Sequence, residues 1–274
     1  MQTGYVLSTH SKQFDHSTTG KARHTRGGGF TLVELAIVIT IIGLLIGGVL
    51  KGQEMIQSAR VTNTIAQIKS YQAAQETFRD RYDQFPGDMS VATNRLPGCT
   101  AAAYCLNGDG NSRIGARYTG TAIGTIQTGT AVPAVETSMY WKHLTLADLI
   151  SGVNPNANPD EATWGQTHPS SSFGGGFMVA YGQHIAASRD GLWLILANTL
   201  TGTTAYLPNG ENPLTPALAQ QIDTKMDDGR ADQGYVQSPD NGTCDANLGN
   251  GYREYRTNDQ YSTQKTCMLI FNVF

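Results

Sequence analysis

One acid stands inside the longest apolar run of this chain. Phe30 to Leu50 is 21 residues long (FTLVELAIVITIIGLLIGGVL), and Glu34 is its only charged side chain. A carboxyl group placed there costs a few kcal/mol in hydrocarbon, so it is expected only where a partner meets it. Two other places carry residue types that could do chemistry. Asn107-Gly108-Asp109-Gly110-Asn111 alternates oxygen-bearing side chains with glycine, which lets Asn107, Asp109 and Asn111 converge on a hard cation such as calcium. The run lacks the acid of an EF-hand twelfth position, where Tyr118 stands, and the same residues make a good string of turns, so both readings stand. Asp227, Asp228 and Asp232 form a weaker second candidate against the commoner solvated acidic turn.

The elements that position these residues start with a membrane span. At about 1.5 Å per residue, Phe30 to Leu50 crosses a hydrocarbon core roughly 30 Å thick as a helix. Lys12, Lys21, Arg23 and Arg26 against Asp15 give the first 29 residues +3, which leaves −6 for the remainder of a chain totalling −3. The basic head stays cytoplasmic by the positive-inside rule, and everything after about Lys51 lies outside. A secretory signal peptide would have a shorter apolar core, no acid near its start and an A-x-A-like site behind it. The acidic body argues against a nucleic-acid-binding domain.

Cys99, Cys105, Cys244 and Cys267 all follow the span, on the side where an exported domain meets an oxidising compartment. Of three possible connectivities, Cys99–Cys105 and Cys244–Cys267 are favoured because each closes a local loop. Zinc is disfavoured: neither spacing resembles paired C-x-x-C ligands, and no histidine lies near either pair in sequence.

Gly29 followed by Phe30, Thr31, Leu32, Val33 and Glu34 resembles the cleavage and methylation site of type IV prepilins and type II secretion pseudopilins. The resemblance implies that residues 1–29 are a leader, that a membrane-embedded aspartic prepilin peptidase cuts between Gly29 and Phe30, and that Phe30 is then N-methylated. A glycine before the scissile bond suits this, since backbone without a Cβ can approach a protease closely. It also implies a partner for Glu34. The carboxylate would neutralise the amine of a neighbouring subunit, a pairing that in a low-dielectric core lowers the burial cost and sets the axial register. The family helix often carries a proline near position 51, where this chain has Lys51; Gly43, Gly47, Gly48 and Gly52 are the residues that would loosen the helix instead.

Past Lys51, Ile56, Ala59, Thr64, Ile65, Ile68, Tyr71, Gln72, Gln75 and Phe78 follow a 3-4 spacing, which predicts that the helix continues to Pro86–Gly87. From Phe30 to Arg81 it would be about 78 Å long. Gly87 to Ala134 reads as a long loop tied by Cys99–Cys105. Further on, the patterns predict a helix over 136–151 with Gly152 as its stop and strands over 177–183 and 192–199 joined by the 184–191 hairpin connection. A short helix over 215–226 and a closing strand over 266–274 complete the chain. The fold class is therefore α+β, and the family resemblance implies a lollipop: residues 30–51 a membrane-spanning assembly helix, 52–85 its amphipathic continuation, and 86–274 an exported globular domain with a small antiparallel sheet. The Cys244–Cys267 loop resembles the family's C-terminal disulfide loop in place and size.

The function expected is a structural subunit of a type IV pilus-like or type II secretion pseudopilus filament. Its implied partners are prepilin peptidase, other pilin or pseudopilin subunits and an inner-membrane assembly platform, and its place is a single pass of the bacterial inner membrane and then a periplasmic or extracellular filament. The alternative is a minor pilin whose large domain binds a surface, DNA or another substrate. Catalysis is not expected: only His143, His168 and His184 lie beyond the leader, and G-x-S-x-G, H-E-x-x-H and a phosphate-cradling glycine loop are all missing from the sequence. No cofactor is expected apart from the calcium considered above.

Overall fold

A computed structural model gives the architecture. It describes residues 30–115, 118–119, 136–159, 161–183, 190–200, 212–238, 242–247, 249 and 251–272. The leader, most of 116–135, the 184–189 connection and Val273 and Phe274 of the predicted closing strand therefore lie outside the described residues. Two compact units divide at Lys51, residues 1–51 and 52–274.

The described part of the first unit is apolar helix. Helix α1 runs over Leu32–Tyr82 without a break at Gly43, Gly47, Gly48 or Gly52. Among the described residues it is the one helix long and apolar enough to cross a membrane. Its first turns expose Leu35, Ile39, Ile42 and Leu45 alike, so the apolar residues ring the helix rather than striping it. A helix apolar all round suits lipid or other helices better than water. It starts two residues later than the run does, because Thr31 takes the cap position.

In the second unit α1 is amphipathic, and Val61, Thr64, Ile68, Tyr71, Gln75 and Phe78 are buried. The predicted stripe holds from Thr64 onward. Ile56 is 57% exposed and Ala59 is exposed too, because the domain's packing reaches only as far as Val61. Tyr71 meets Trp141 and Phe177 edge-on, with ring centroids 5.0 and 5.4 Å apart, which locks α1 to both the next helix and the sheet.

The long loop has more structure than its composition announced. Helix α2 is a single turn, Ala92–Arg95, a 3-10 turn follows at Ala101–Ala103, and a two-residue strand β1 spans Tyr118–Thr119. Helix α3 occupies Glu136–Leu146 and stops short of Gly152, since Asp148 takes a left-handed conformation (φ 58°) that ends the helical path. Leu149 and Ile150 still pack on the core as expected. Strands β2 (Gly176–Gln183) and β3 (Asp190–Ala197) form the predicted hairpin, and helix α4 spans Pro216–Met226 with Thr215 as its cap. The remaining strands are β4 (Val236–Gln237), β5 (Asp245–Asn247), β6 (Arg253–Tyr255) and β7 (Leu269–Asn272).

These strands make a five-stranded sheet ordered β1-β2-β3-β7-β4 and a separate β5–β6 pair. The larger sheet is antiparallel except for the short parallel β1–β2 pairing. Its alternation sorts two faces: Phe177, Val179, Leu192, Leu194, Leu269 and Phe271 join the main core with α1, α3 and α4. Met178, Ala180, Trp193, Ile195, Met268 and Ile270 form a second buried cluster on the other side. Both disulfides take the favoured pairing, Cys99–Cys105 and Cys244–Cys267. The second ties the start of β5 to the approach of β7, where Leu214 also bridges Cys267.

Phe78 is fully buried, 4.6 Å from the Tyr82 ring and stacked on His143. Phe78→Ala should cost about 3–5 kcal/mol of domain stability by leaving a cavity. The expected measurement is a lower urea midpoint with an unchanged far-ultraviolet spectrum.

Candidate functional site

The amino-terminal candidate begins at Phe30, 89% exposed, with Gly29 outside the described residues. Behind it, Thr31 and Glu34 close a reciprocal capping box. The Thr31 backbone N–H and hydroxyl both donate to Glu34 Oε2, at 2.9 and 3.0 Å, and the Glu34 N–H donates to Thr31 Oγ1 at 3.2 Å. Two of the four amide donors that a helix start leaves open are satisfied this way. The T-x-x-E spacing of Thr31 and Glu34 is the sequence signal of such a box. Both Thr31 bonds go to Oε2, so Oε1 has no partner among the described residues. The carboxylate is held at the helix start with one oxygen open.

In the second unit the candidate cation ligands separate. Asn107 turns to α2, its Oδ1 accepting from the Thr93 N–H and hydroxyl at 2.9 and 3.2 Å. Asn111 Oδ1 accepts from the Arg113 N–H, while its amide nitrogen donates to Asp109 Oδ2. Asp109 instead meets Asp88 and Glu136, two residues not picked from the sequence, and one ligand oxygen of each lies within 4.8 Å of the others. The chain brings them together by a reversal at Pro86–Gly87. Gly87 has φ +88°, and a Cβ on it would strike the Glu136 carbonyl oxygen, so only glycine fits.

This carboxylate group is already well supplied with donors. Asp88 accepts from the backbone N–H groups of Asn111 and Ser112 at 3.0 and 2.8 Å. Glu136 accepts from those of Asp109 and Gly115 at 2.9 and 2.8 Å. The oxygens keep lone pairs that a hard cation could use, but the loop is satisfied as a folded turn with amide donors alone. Burial, helped by the neighbouring Asp109 and Asp88 charges, pushes the Glu136 carboxyl up to about 7. Burial likewise raises Asp88 to about 6.

The second acidic candidate also regroups. Asp223 of α4 joins Asp227 and Asp228, and Asp232 is not among them. Asp223 accepts from the Tyr255 hydroxyl at 2.9 Å and the Gly229 N–H at 3.2 Å. Asp227 caps the start of β4 by accepting from the Tyr235 and Val236 N–H groups. These bonds make it a structural turn.

His143 is held by a backbone group at each ring nitrogen. Its Nδ1 accepts from the Gly87 N–H at 2.9 Å, and Nε2 lies 3.0 Å from the Leu106 carbonyl oxygen, which fixes the Nε2–H tautomer. The side chain pins the helix exit to the disulfide loop, and burial lowers it to about 4, neutral at ordinary pH. One of its ring nitrogens also lies within 4.8 Å of the Cys99 and Cys105 sulfurs, a proximity that linear distance hid. Lys142 beside it donates to the carbonyls of Ala103, Tyr104 and Ala157 at 2.6, 3.0 and 2.9 Å. His168 is buried against Thr167 and Trp164. His184 lies outside the described residues.

Residues 25–50 match the family model of the prokaryotic N-terminal methylation motif, the signature of type IV pilins and pseudopilins. No curated protein and no solved structure shows a significant match to the chain.

The Glu136 environment sets a pH dependence with a definite sign. Its folded pKa lies above the ordinary carboxyl value of 4.5, so the folded state holds a proton that the unfolded state has lost between 4.5 and about 7. Stability therefore falls as pH rises through that window. His143 works the other way below its ordinary 6.5, so the comparison with Glu136→Gln isolates the acid. Wild type should lose urea stability relative to Glu136→Gln between about pH 5 and about pH 8.

Proposed function

We propose that this chain is a structural subunit of a type IV pilus-like or type II secretion pseudopilus filament. The observation that carries the reading is one uninterrupted helix that joins the methylation motif, with Glu34 at its start, to a disulfide-tied domain. On this reading prepilin peptidase removes residues 1–29, and the amine of Phe30 becomes the cation that Glu34 of an adjacent subunit receives. The open Oε1 supports this, because the capping box can persist while the second oxygen takes the amine. The all-round apolar surface of the first turns supports it too, since it packs on lipid before assembly and on like helices afterwards. The subunit then passes from the bacterial inner membrane into a periplasmic or extracellular filament, driven by an inner-membrane assembly platform.

A place within the shaft is favoured over a tip position. A tip subunit has no preceding neighbour for its carboxylate, whereas this chain retains Glu34.

Two measurements test the reading. Mass spectrometry of the protein from cells should find N-methyl-Phe30 as the first residue, and an intact leader would end the assignment. Glu34→Ala should leave membrane insertion unchanged and cut filament incorporation by tenfold or more, as the loss of a buried charge partner worth 1.4 kcal/mol or above requires. Normal filaments from that variant would remove the pairing role.

A further inference from the structure

In the second unit α1 has a long face that its own domain leaves uncovered. Thr62, Ala66, Lys69, Ala73, Glu76 and Asp80 follow one another at three- and four-residue steps, so they line one side of the helix, and all six are exposed. The buried stripe of Val61, Ile68 and Phe78 lies away from them.

The chemistry changes along that face. Its lower part is small, and an open groove of about 540 Å³ runs there beside Met55, Ser58, Thr62 and Ala66. Lys69 then places a cation on it, and Glu76 and Asp80 place acids two and three turns further on. None of these three side chains has a hydrogen bond or ion pair among the described residues. The neighbouring arginines are turned aside: Arg79 lies over the Phe85 ring at 4.6 Å, and Arg81 donates to the Ala147 carbonyl at 3.4 Å and lies over the Tyr82 ring. Glu76, Asp80, Asp83 and Asp88 line one cleft of about 580 Å³ with Arg79 as its one cation among the described residues, so that end is acidic on balance.

Opposite charges spaced along one face restrict how two copies of it can meet. In parallel register Lys69 faces Lys69 and acid faces acid, which repels. Antiparallel pairing would match the charges, but chains inserted with their basic heads on the same side of one membrane all point the same way. Displacing one copy along the axis by seven to eleven residues, about 10–16 Å, brings its Lys69 beside Glu76 or Asp80 of the other and sets Ala66 or Thr62 beside Ala73. The upper copy's acids and the lower copy's Lys69 stay open for further copies, so the contact is heterologous and repeats without closing.

We infer that this face of α1 is where one copy of the chain docks on another, displaced along the helix axis, with Lys69 of one copy meeting Glu76 and Asp80 of the next. The inference rests on the filament reading and adds to it a register for the helix beyond the membrane span. Exposed ion pairs supply little affinity, so these choose the stagger while the small residues let the helices approach.

The test is a charge-reversal cycle of the full chain in cells, read as filament yield by electron microscopy, with urea stability and N-methyl-Phe30 measured alongside. Lys69→Glu, and separately Glu76→Lys with Asp80→Lys, should each cut filaments at least tenfold, and the triple variant should return to within threefold of wild type. The substituted side chains are exposed, so the urea midpoints should stay at the wild-type value. Either reversal assembling at wild-type yield overturns the inference, as does a stable triple variant that recovers nothing. A second measurement needs no variant: carbodiimide treatment of wild-type filaments, from cells shifted from light to heavy nitrogen medium, should join Lys69 of a light chain to Glu76 or Asp80 of a heavy one. Wild-type filaments without that link overturn the register and leave the filament reading standing, whereas processed wild-type protein that forms no filament overturns both.

Discussion

Backbone amides and carbonyls inside hydrocarbon have no water to bond, so a single chain segment can cross a membrane only as a helix that satisfies them internally. That constraint governs the whole of α1, because the same helix goes on to serve as a core element in water. Its two stretches answer different solvents. From Leu32 to Leu50 the apolar residues lie all round, and from Val61 to Tyr82 they lie on one buried side. A helix that has to meet both demands without a break tolerates four glycines, each with open space where a Cβ would be. The capping box at Thr31 and Glu34 closes its membrane end with groups that need no outside donor.

The second unit is organised around what α1 presents. Tyr71 carries the contacts to α3 and β2, and Gln75 receives the Tyr140 hydroxyl one turn later. Helix α3 is accordingly buried almost all round, and that includes Glu136, Lys142 and His143. Buried polar groups are tolerated only when bonded. Here the long 87–115 segment does the bonding: Glu136 takes two of its amides, Lys142 takes two of its carbonyls and a third from Ala157, and His143 bridges Gly87 to Leu106. The loop is ordered by α3, and α3 is buried because of the loop.

The same reciprocity gives the acidic clusters of this domain an architectural part. Asp88, Asp109 and Glu136 each accept from amides of one turn, and beside β4 Asp227 and Asp228 accept from backbone amides while Asp223 accepts from the Tyr255 hydroxyl and the Gly229 amide.

The sequence by itself determined whatever depends on neighbours along the chain. Helical periodicity, the short helix from Thr215, the β2–β3 alternation and the GGG-F-T-L-V-E segment are all local patterns, and the structure has α4, the hairpin and the apolar helix where those patterns put them. Cysteine pairing was legible for the same reason, since both bridges close short loops. Tertiary structure decided what converges across long separations. Asp109 was visible but its companions Asp88 and Glu136 were not, because a turn at Gly87 and a helix 27 residues further on bring them in. Asn107 left the group because Thr93 competes for its oxygen, and α3 stopped early because one residue turned left-handed. Glu34 lay between the two: its spacing from Thr31 was written in the chain, but which oxygen stays open is a matter of geometry.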